Sequence, residues 1–239
     1  MTGVQTCALP ILQKIIVIGD TLYAAGWFNY VSQSPLLPGE TINSVAKYVD
    51  GRWSWLGPNQ FINGLAGPAE CMATDGERIW VGGIFESASG VVANRLAVWD
   101  GTGWSALGDA LDQGANGTVR AVVWKGSDLY VGGSFTRVNG VSAANLARRS
   151  DGTWSQVGGG IRGQGVDGGV HALAVIGDDL FVGGRFVRAG SLNVTNIVRW
   201  DGTNWHGLGG GIVESVWGPP TLPIVFTLGV AGTDLFVGG

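Results

Sequence analysis

The feature that most restricts how this chain can fold is a segment that recurs along its whole length. A short apolar run ends in a glycine pair (Ala-Gly in the first copy), and an Asp-Gly turn and a Trp follow at nearly fixed distances. The glycines of the repeat are Gly26, Gly82, Gly83, Gly132, Gly133, Gly183 and Gly184, with Gly239 closing a further pair. The tryptophans are Trp53, Trp104, Trp154 and Trp205. From the second glycine to the Trp the distance is 27 residues in the first copy and 21 in the next three. The first copy is longer because of the Pro- and Gly-containing insertion at Pro35–Glu40. From each Trp to the next glycine it is 30, 29, 30 and 34 residues, the last stretched by Val216–Pro223. Self-similarity at this period is the mark of equivalent units that stack on one another. Insertions confined to two connections are what loops on a fixed scaffold allow.

Each unit reads as four short strands. Strand a is an apolar run (Ile15–Ile18, Cys71–Thr74, Ala121–Trp124, Ala172–Ile176, Leu228–Val230) and a tight Gly-containing turn follows it. Strand b carries the glycine pair: Leu22–Ala25, Ile79–Gly82, Leu129–Gly132, Leu180–Gly183, Leu235–Gly238. Strand c is Val45–Val49, Leu96–Trp99, Leu146–Arg149 and Ile197–Trp200, and strand d runs from each Trp to Leu56, Leu107, Val157 and Leu208. Asp-Gly turns join c to d, and no segment has helical periodicity over three turns. The 43 glycines, 11 tryptophans and 45% hydrophobic content suit many short buried strands joined by tight turns. Four antiparallel strands recurring at ~40–50 residues make one blade of a β-propeller. The expected fold is therefore all-β, a propeller of four-stranded blades with about four and a half blades present, at 12–57, 69–108, 119–158, 170–209 and 226–239.

Residues 1–11 stand outside the repeat and have neither the basic start nor the long apolar core of a signal peptide. They resemble the translation of a sequencing-library adaptor and are expected to be a non-native leader. The chain is correspondingly expected to be an open fragment of a longer propeller, with its exposed blade edges prone to association. A net charge of −4 and the lack of a basic cluster argue against a nucleic-acid partner. Two cysteines, Cys7 and Cys71, are too few for a disulfide framework or a cysteine zinc site. No apolar run reaches the ~18 residues of a membrane span.

At the glycine pairs and the spaced aromatics, the sequence resembles the kelch family of propeller repeats. The matching residues are Gly82-Gly83 with Trp99 and Trp104, Gly132-Gly133 with Trp154, and Gly183-Gly184 with Trp200 and Trp205. It is also similar to propeller repeats of bacterial surface proteins and of fungal cortical polarity markers. Two features depart from kelch: the aromatics are five residues apart, and a Phe follows each glycine pair (Phe28, Phe85, Phe135, Phe186). Position 149 is Arg where Tyr48, Trp99 and Trp200 stand in the other units, and its stem is expected to lie on Trp154. The copper-oxidase branch of this superfamily needs a His, Tyr and Cys constellation that His171 and His206 cannot supply, so no cofactor or metal is expected.

Antiparallel strands put the tight a–b and c–d turns on one face and the long b–c and d–a connections on the other. The long-loop face is the expected binding face, with plain solvated loop as the alternative. One column sharpens the choice. Gln13, Glu70, Arg120, His171 and Phe226 occupy the same repeat position at the opening of strand a, which is innermost in kelch-like propellers. Either Glu70, Arg120 and His171 contact a ligand at the channel mouth, or they are polar caps on strand ends. Most other acids belong to turns, leaving Asp109, Asp112, Asp167 and Glu214 as loop carboxylates to watch. Asn116-Gly117-Thr118 and Asn193-Val194-Thr195 are sequons, a weak signal. Cys71 reads as a buried structural thiol, and His206 as an exposed residue of strand d. The function expected is a non-catalytic binding or adhesion module, extracellular or at the cell surface, for a protein or glycan partner. The alternative is a fragment of a carbohydrate-active propeller enzyme whose catalytic residues lie elsewhere.

Overall fold

The computed structural model describes residues 11–31, 40–59, 61–108, 113–163, 168–213 and 223–239. Blade 1 consists of β1 (Ile11–Ile18), β2 (Thr21–Trp27), β3 (Val45–Val49) and β4 (Arg52–Trp55). Blade 2 is β5 (Ala69–Thr74), β6 (Ile79–Gly83), β7 (Leu96–Trp99) and β8 (Trp104–Ala106). Blade 3 is β9 (Thr118–Lys125), β10 (Asp128–Ser134), β11 (Leu146–Ser150) and β12 (Thr153–Gln156). Blade 4 is β13 (Gly169–Ile176), β14 (Asp179–Ala189), β15 (Ile197–Trp200) and β16 (Trp205–Gly207). A two-stranded unit follows, β17 (Thr227–Ala231) with β18 (Asp234–Gly238). Every full blade is an antiparallel meander in chain order, and no helix occurs among the described residues. The described residues form an open β-propeller arc of four blades and a half, as the repeat predicts.

The innermost strands start earlier than their apolar runs suggest, because each is interrupted. In the first strand of every full blade the ladder slips: Leu12 pairs with Gly26 and Lys14 with Ala25. The same slip skips Glu70, Arg120 and His171 in blades 2, 3 and 4. The skipped residue is the extra residue of a β-bulge, which bends a strand and re-aims one side chain. So Gln13, Glu70, Arg120 and His171 do not open their strands; they lie within them, at a bulge.

The glycine pairs serve close approach rather than turning. A β-carbon on Gly83, Gly133 or Gly184 would lie 2.0–2.2 Å from a carbonyl oxygen at the start of its own blade's bulged strand. A β-carbon on Gly82, Gly132 or Gly183 would lie 2.3–2.5 Å from Cγ1 of Val119, Val170 or Val225 in the next unit. Each blade thus inserts a valine where its predecessor has no side chain. Blade 1 reverses the sizes, with Ala25 in place of glycine and Ala69 in place of valine, both fully buried in one cluster.

Aromatic residues complete the blade interfaces. Tyr48 and Trp53, Trp99 and Trp104, and Trp200 and Trp205 meet across the outer strands at centroid distances of 5.2, 5.5 and 4.8 Å. The Trp104 and Trp205 indole N–H groups donate to the carbonyls of Leu56 and Gly158, just past the outermost strand of the preceding blade (2.9 and 2.8 Å). Arg149 differs from expectation: although it faces Trp154 across the ladder, its guanidinium lies over Trp80 of blade 2, 5.6 Å from the ring centroid. A cation–π contact here takes the place of the aromatic pairing at the next interface, where Tyr130 and Trp200 share a core. Burial, and then the neighbouring Arg78, lower the Arg149 pKa.

Among the described residues, much of the long-loop face is paired. Each b–c connection is itself a β-hairpin: Tyr30–Val31 with Glu40–Thr41, Ser87–Ala88 with Val91–Val92, Arg137–Val138 with Val141–Ser142, and the end of β14 with Leu192–Asn193. The d–a connections lie between blades and bond to both sides. Leu65 N–H donates to Asn43 O in blade 1, while Leu65 bridges to Ala88 of blade 2. Ala115 does the same between Asn94 and Val138, and Ile161 between Ala144 and Ala189. These connections hold neighbouring blades together, which accounts for backbone polar groups that open loops would leave to water.

Candidate functional site

The bulged column is where the repeat stops being uniform. Gln13, Glu70, Arg120, His171 and Phe226 all line one cavity of about 710 Å³ along the innermost strands. The rest of the lining mixes small and apolar residues such as Cys71, Ala121, Ala172, Met72 and Leu173 with Lys14 and Thr227. The column and Lys14 make the cavity polar and charged, with small and apolar residues between them. The structure brings the three predicted contact residues and their two column neighbours into one cavity, from five successive units.

The polar members are held in place by partners. Trp27 Nε1 donates to Glu70 Oε1 at 3.1 Å across the blade 1–2 boundary. Partial burial raises the Glu70 pKa, against the Trp27 bond and the positive charge of Arg120. Arg120 donates to Ser134 Oγ, and the Ser134 hydroxyl donates to the Gly168 carbonyl at 3.0 Å. His171 meets Phe226 edge to face, with centroids 5.6 Å apart and planes at 84°. Around the axis the cavity thus passes from amide to carboxylate to guanidinium to imidazole to phenyl.

Trp27 and Ser134 went unrecognised in the sequence. They occupy the position immediately after the glycine pair, which reads Trp27, Ile84, Ser134 and Arg185 in the four blades. That variability, between an invariant Gly and an invariant Phe, was the available signal. A second cavity, of about 530 Å³, lies on the short-turn face between blades 2 and 3, lined by Asp75, Arg78, Trp124, Arg149 and Asp151 among others. Asp75 engages Arg78 at 2.8 Å, so the charges there are largely matched.

The remaining candidates are dispersed. Asp109, Asp112, Asp167 and Glu214 lie outside the described residues. His206 is half-exposed on β16 and binds Asp201 at 2.6 Å. Cys71 is a buried free thiol, and burial pushes its pKa up. Asn116 is occupied: its Oδ1 accepts from the Thr136 and Arg137 amides, its Nδ2 donates to Thr136 Oγ1, and Thr118 belongs to β9. Asn116 thus lies on an exposed bend with its amide engaged, and Asn193 is exposed in the short strand that pairs with the end of β14. Among the described residues no group of three or more His, Cys, Asp or Glu is placed to hold a metal ion. No helix among them is long and apolar enough to cross a membrane.

No protein-family model matches the chain, and no curated protein matches it. Solved structures do. One is the extracellular domain of a B. thetaiotaomicron protein assigned as a one-component system, with a TM-score of 0.55 and 15% identity over 95% of this chain. Another is the computationally designed Ika8 protein, with a TM-score of 0.50 and 13% identity, also over 95% of this chain. The β-propeller domain of the Trilobed protease from Pyrococcus furiosus matches 81% of the chain at a TM-score of 0.46 and 16% identity. The chain spans 26% of the first of these and about half, 55% and 53%, of the other two. At such identities the likeness is one of fold. The ladders show that fold on their own: successive four-stranded blades around an axial cavity.

Proposed function

We propose that the chain is a non-catalytic binding module, a kelch-like propeller segment of a larger extracellular or cell-surface protein. Its ligand enters the axial cavity and is held by Glu70, Arg120 and His171. One observation carries this reading: one repeat position, at a bulge in the four full blades, differs in side-chain chemistry in all five units, and those five side chains line one cavity. Scaffold positions repeat because every blade needs them; a position that a bulge re-aims toward a cavity, and that differs in every unit, is free to serve recognition.

The chemistry favours a glycan. Glu70 accepts hydrogen bonds, Arg120 and Gln13 donate them, and Phe226 offers an apolar face, a combination that matches the hydroxyls and C–H face of a sugar ring. Glu70 is the one carboxylate in the described lining, whereas glycoside hydrolysis uses a facing pair. Binding is therefore better supported than turnover. A glycan-array screen followed by calorimetric titration tests the proposal. Arg120→Ala with His171→Ala is expected to weaken the best glycan at least about tenfold, since each removes a central polar contact. Unchanged affinity in the double variant would refute the assignment.

A further inference from the structure

The described lining of the axial cavity is opposite in charge to the chain as a whole. The chain has a net charge of −4. In the lining, Lys14 and Arg120 outnumber Glu70, the one carboxylate there, and His171 adds a group that becomes cationic on protonation. A cleft with low-dielectric walls concentrates a field of one sign.

The opposite charges of the column are not bonded to each other. Glu70 directs its hydrogen bond to Trp27 of the preceding blade. Arg120 is anchored by a neutral hydroxyl, that of Ser134, which in turn donates to the Gly168 carbonyl. Among the described residues Arg120 forms no ion pair; the ion pairs there join Arg78 to Asp75, Arg148 to Asp128, Arg199 to Asp179 and His206 to Asp201. Arg120 is thus a guanidinium held in place with no carboxylate bonded to it. Trp27 and Ser134 reach the column from the position after the glycine pair. In blade 4 that position is a further cation, Arg185, whose Nε is buried with no hydrogen-bond partner.

We propose that the ligand of this cavity is an acidic sugar, whose carboxylate pairs with the guanidinium of Arg120 while its hydroxyls reach Glu70. This rests on the binding function proposed for the cavity and adds the charge of the ligand to it. The fork of a guanidinium matches the two oxygens of a carboxylate. A neutral sugar would leave the positive charge of the lining without a counterpart.

A glycan array holding both uronic-acid and neutral oligosaccharides tests this, and the strongest binders are expected to carry carboxylates. Reducing the carboxyl groups of the best ligand to alcohols is expected to weaken it at least about tenfold, as loss of one partner of a hydrogen-bonded charge pair does. Arg120→Gln is expected to lose about as much with the acidic ligand and little with its reduced form. Retained binding of the reduced form also shows that the variant is folded. Glu70→Gln keeps an acceptor and removes the opposing charge, so it is expected to raise the preference for the acidic over the reduced form at least about twofold. Best binders that are neutral or only sulfated, an affinity indifferent to carboxyl reduction, an equal loss for both forms in Arg120→Gln, or an unraised preference in Glu70→Gln would each overturn the acidic-sugar assignment and leave the binding function standing. Binding of no glycan at all would overturn both.

Discussion

At Gly132 a single β-carbon would sit 2.4 Å from Cγ1 of Val170 in the next blade. Ala25 carries that carbon without harm because Ala69 stands opposite. Gly132→Ala is therefore expected to destabilise the fold by about 1–3 kcal/mol. Adding Val170→Ala is expected to recover at least about 1 kcal/mol of that loss in a urea double-mutant cycle. Simple additivity would contradict the interlock. Arg149 makes a second residue-level case. Arg149→Ala removes the cation over Trp80 and is expected to cost about 1 kcal/mol, whereas an unchanged urea midpoint would mean that the contact is idle. The presence of both features was legible in the sequence, but their partners were not. A glycine column reads the same whether it turns a chain or admits a neighbour, and the exception at Arg149 named no companion in another blade.

At the scale of elements, one dipeptide makes two turns. Asp50-Gly51 and Asp151-Gly152 both take positive φ and close two-residue hairpins. Asp100 and Asp201 instead accept backbone N–H bonds within four-residue turns that lead from Trp to Trp. The difference was written in the sequence as a one-residue shift of Asp-Gly relative to the Trp. The Asp201 pKa is depressed by the Asn204 N–H, then by His206 and the Thr203 N–H. A carboxylate with a lowered folded pKa stabilises above its unfolded value of about 3.9, and that contribution is lost as pH falls toward the folded value. Asp201→Asn keeps the backbone acceptor but cannot take up a proton. Its melting temperature is expected to fall less than that of the wild type between about pH 5 and pH 3. Parallel acid limbs would refute the linkage. The bulges escaped detection because an extra residue in a strand leaves apolar periodicity on either side intact. The b–c hairpins read as loops because strands of two residues carry no periodicity at all.

For the whole molecule, recurrence alone was enough to indicate four-stranded blades stacked around an axis, since units of this kind bury their faces only against one another. Part of the candidate site was legible too: Glu70, Arg120 and His171 stood out because their column varied while its neighbours stayed small. What the sequence did not show is how the long-loop face is spent. Hydrogen bonds through Leu65, Ala115 and Ile161 tie the described parts of its connections to both neighbouring blades, and the variable column gathers in the axial cavity. The most direct test of the proposed ligand site is a crystal structure of the protein with its tightest-binding oligosaccharide. The account predicts sugar density in the axial cavity, within hydrogen-bond reach of Glu70 and Arg120 and against Phe226. Density on the hairpin at Val91–Val92, or in the cleft beside Arg149 and Trp124, with the axial cavity left to water, would contradict it.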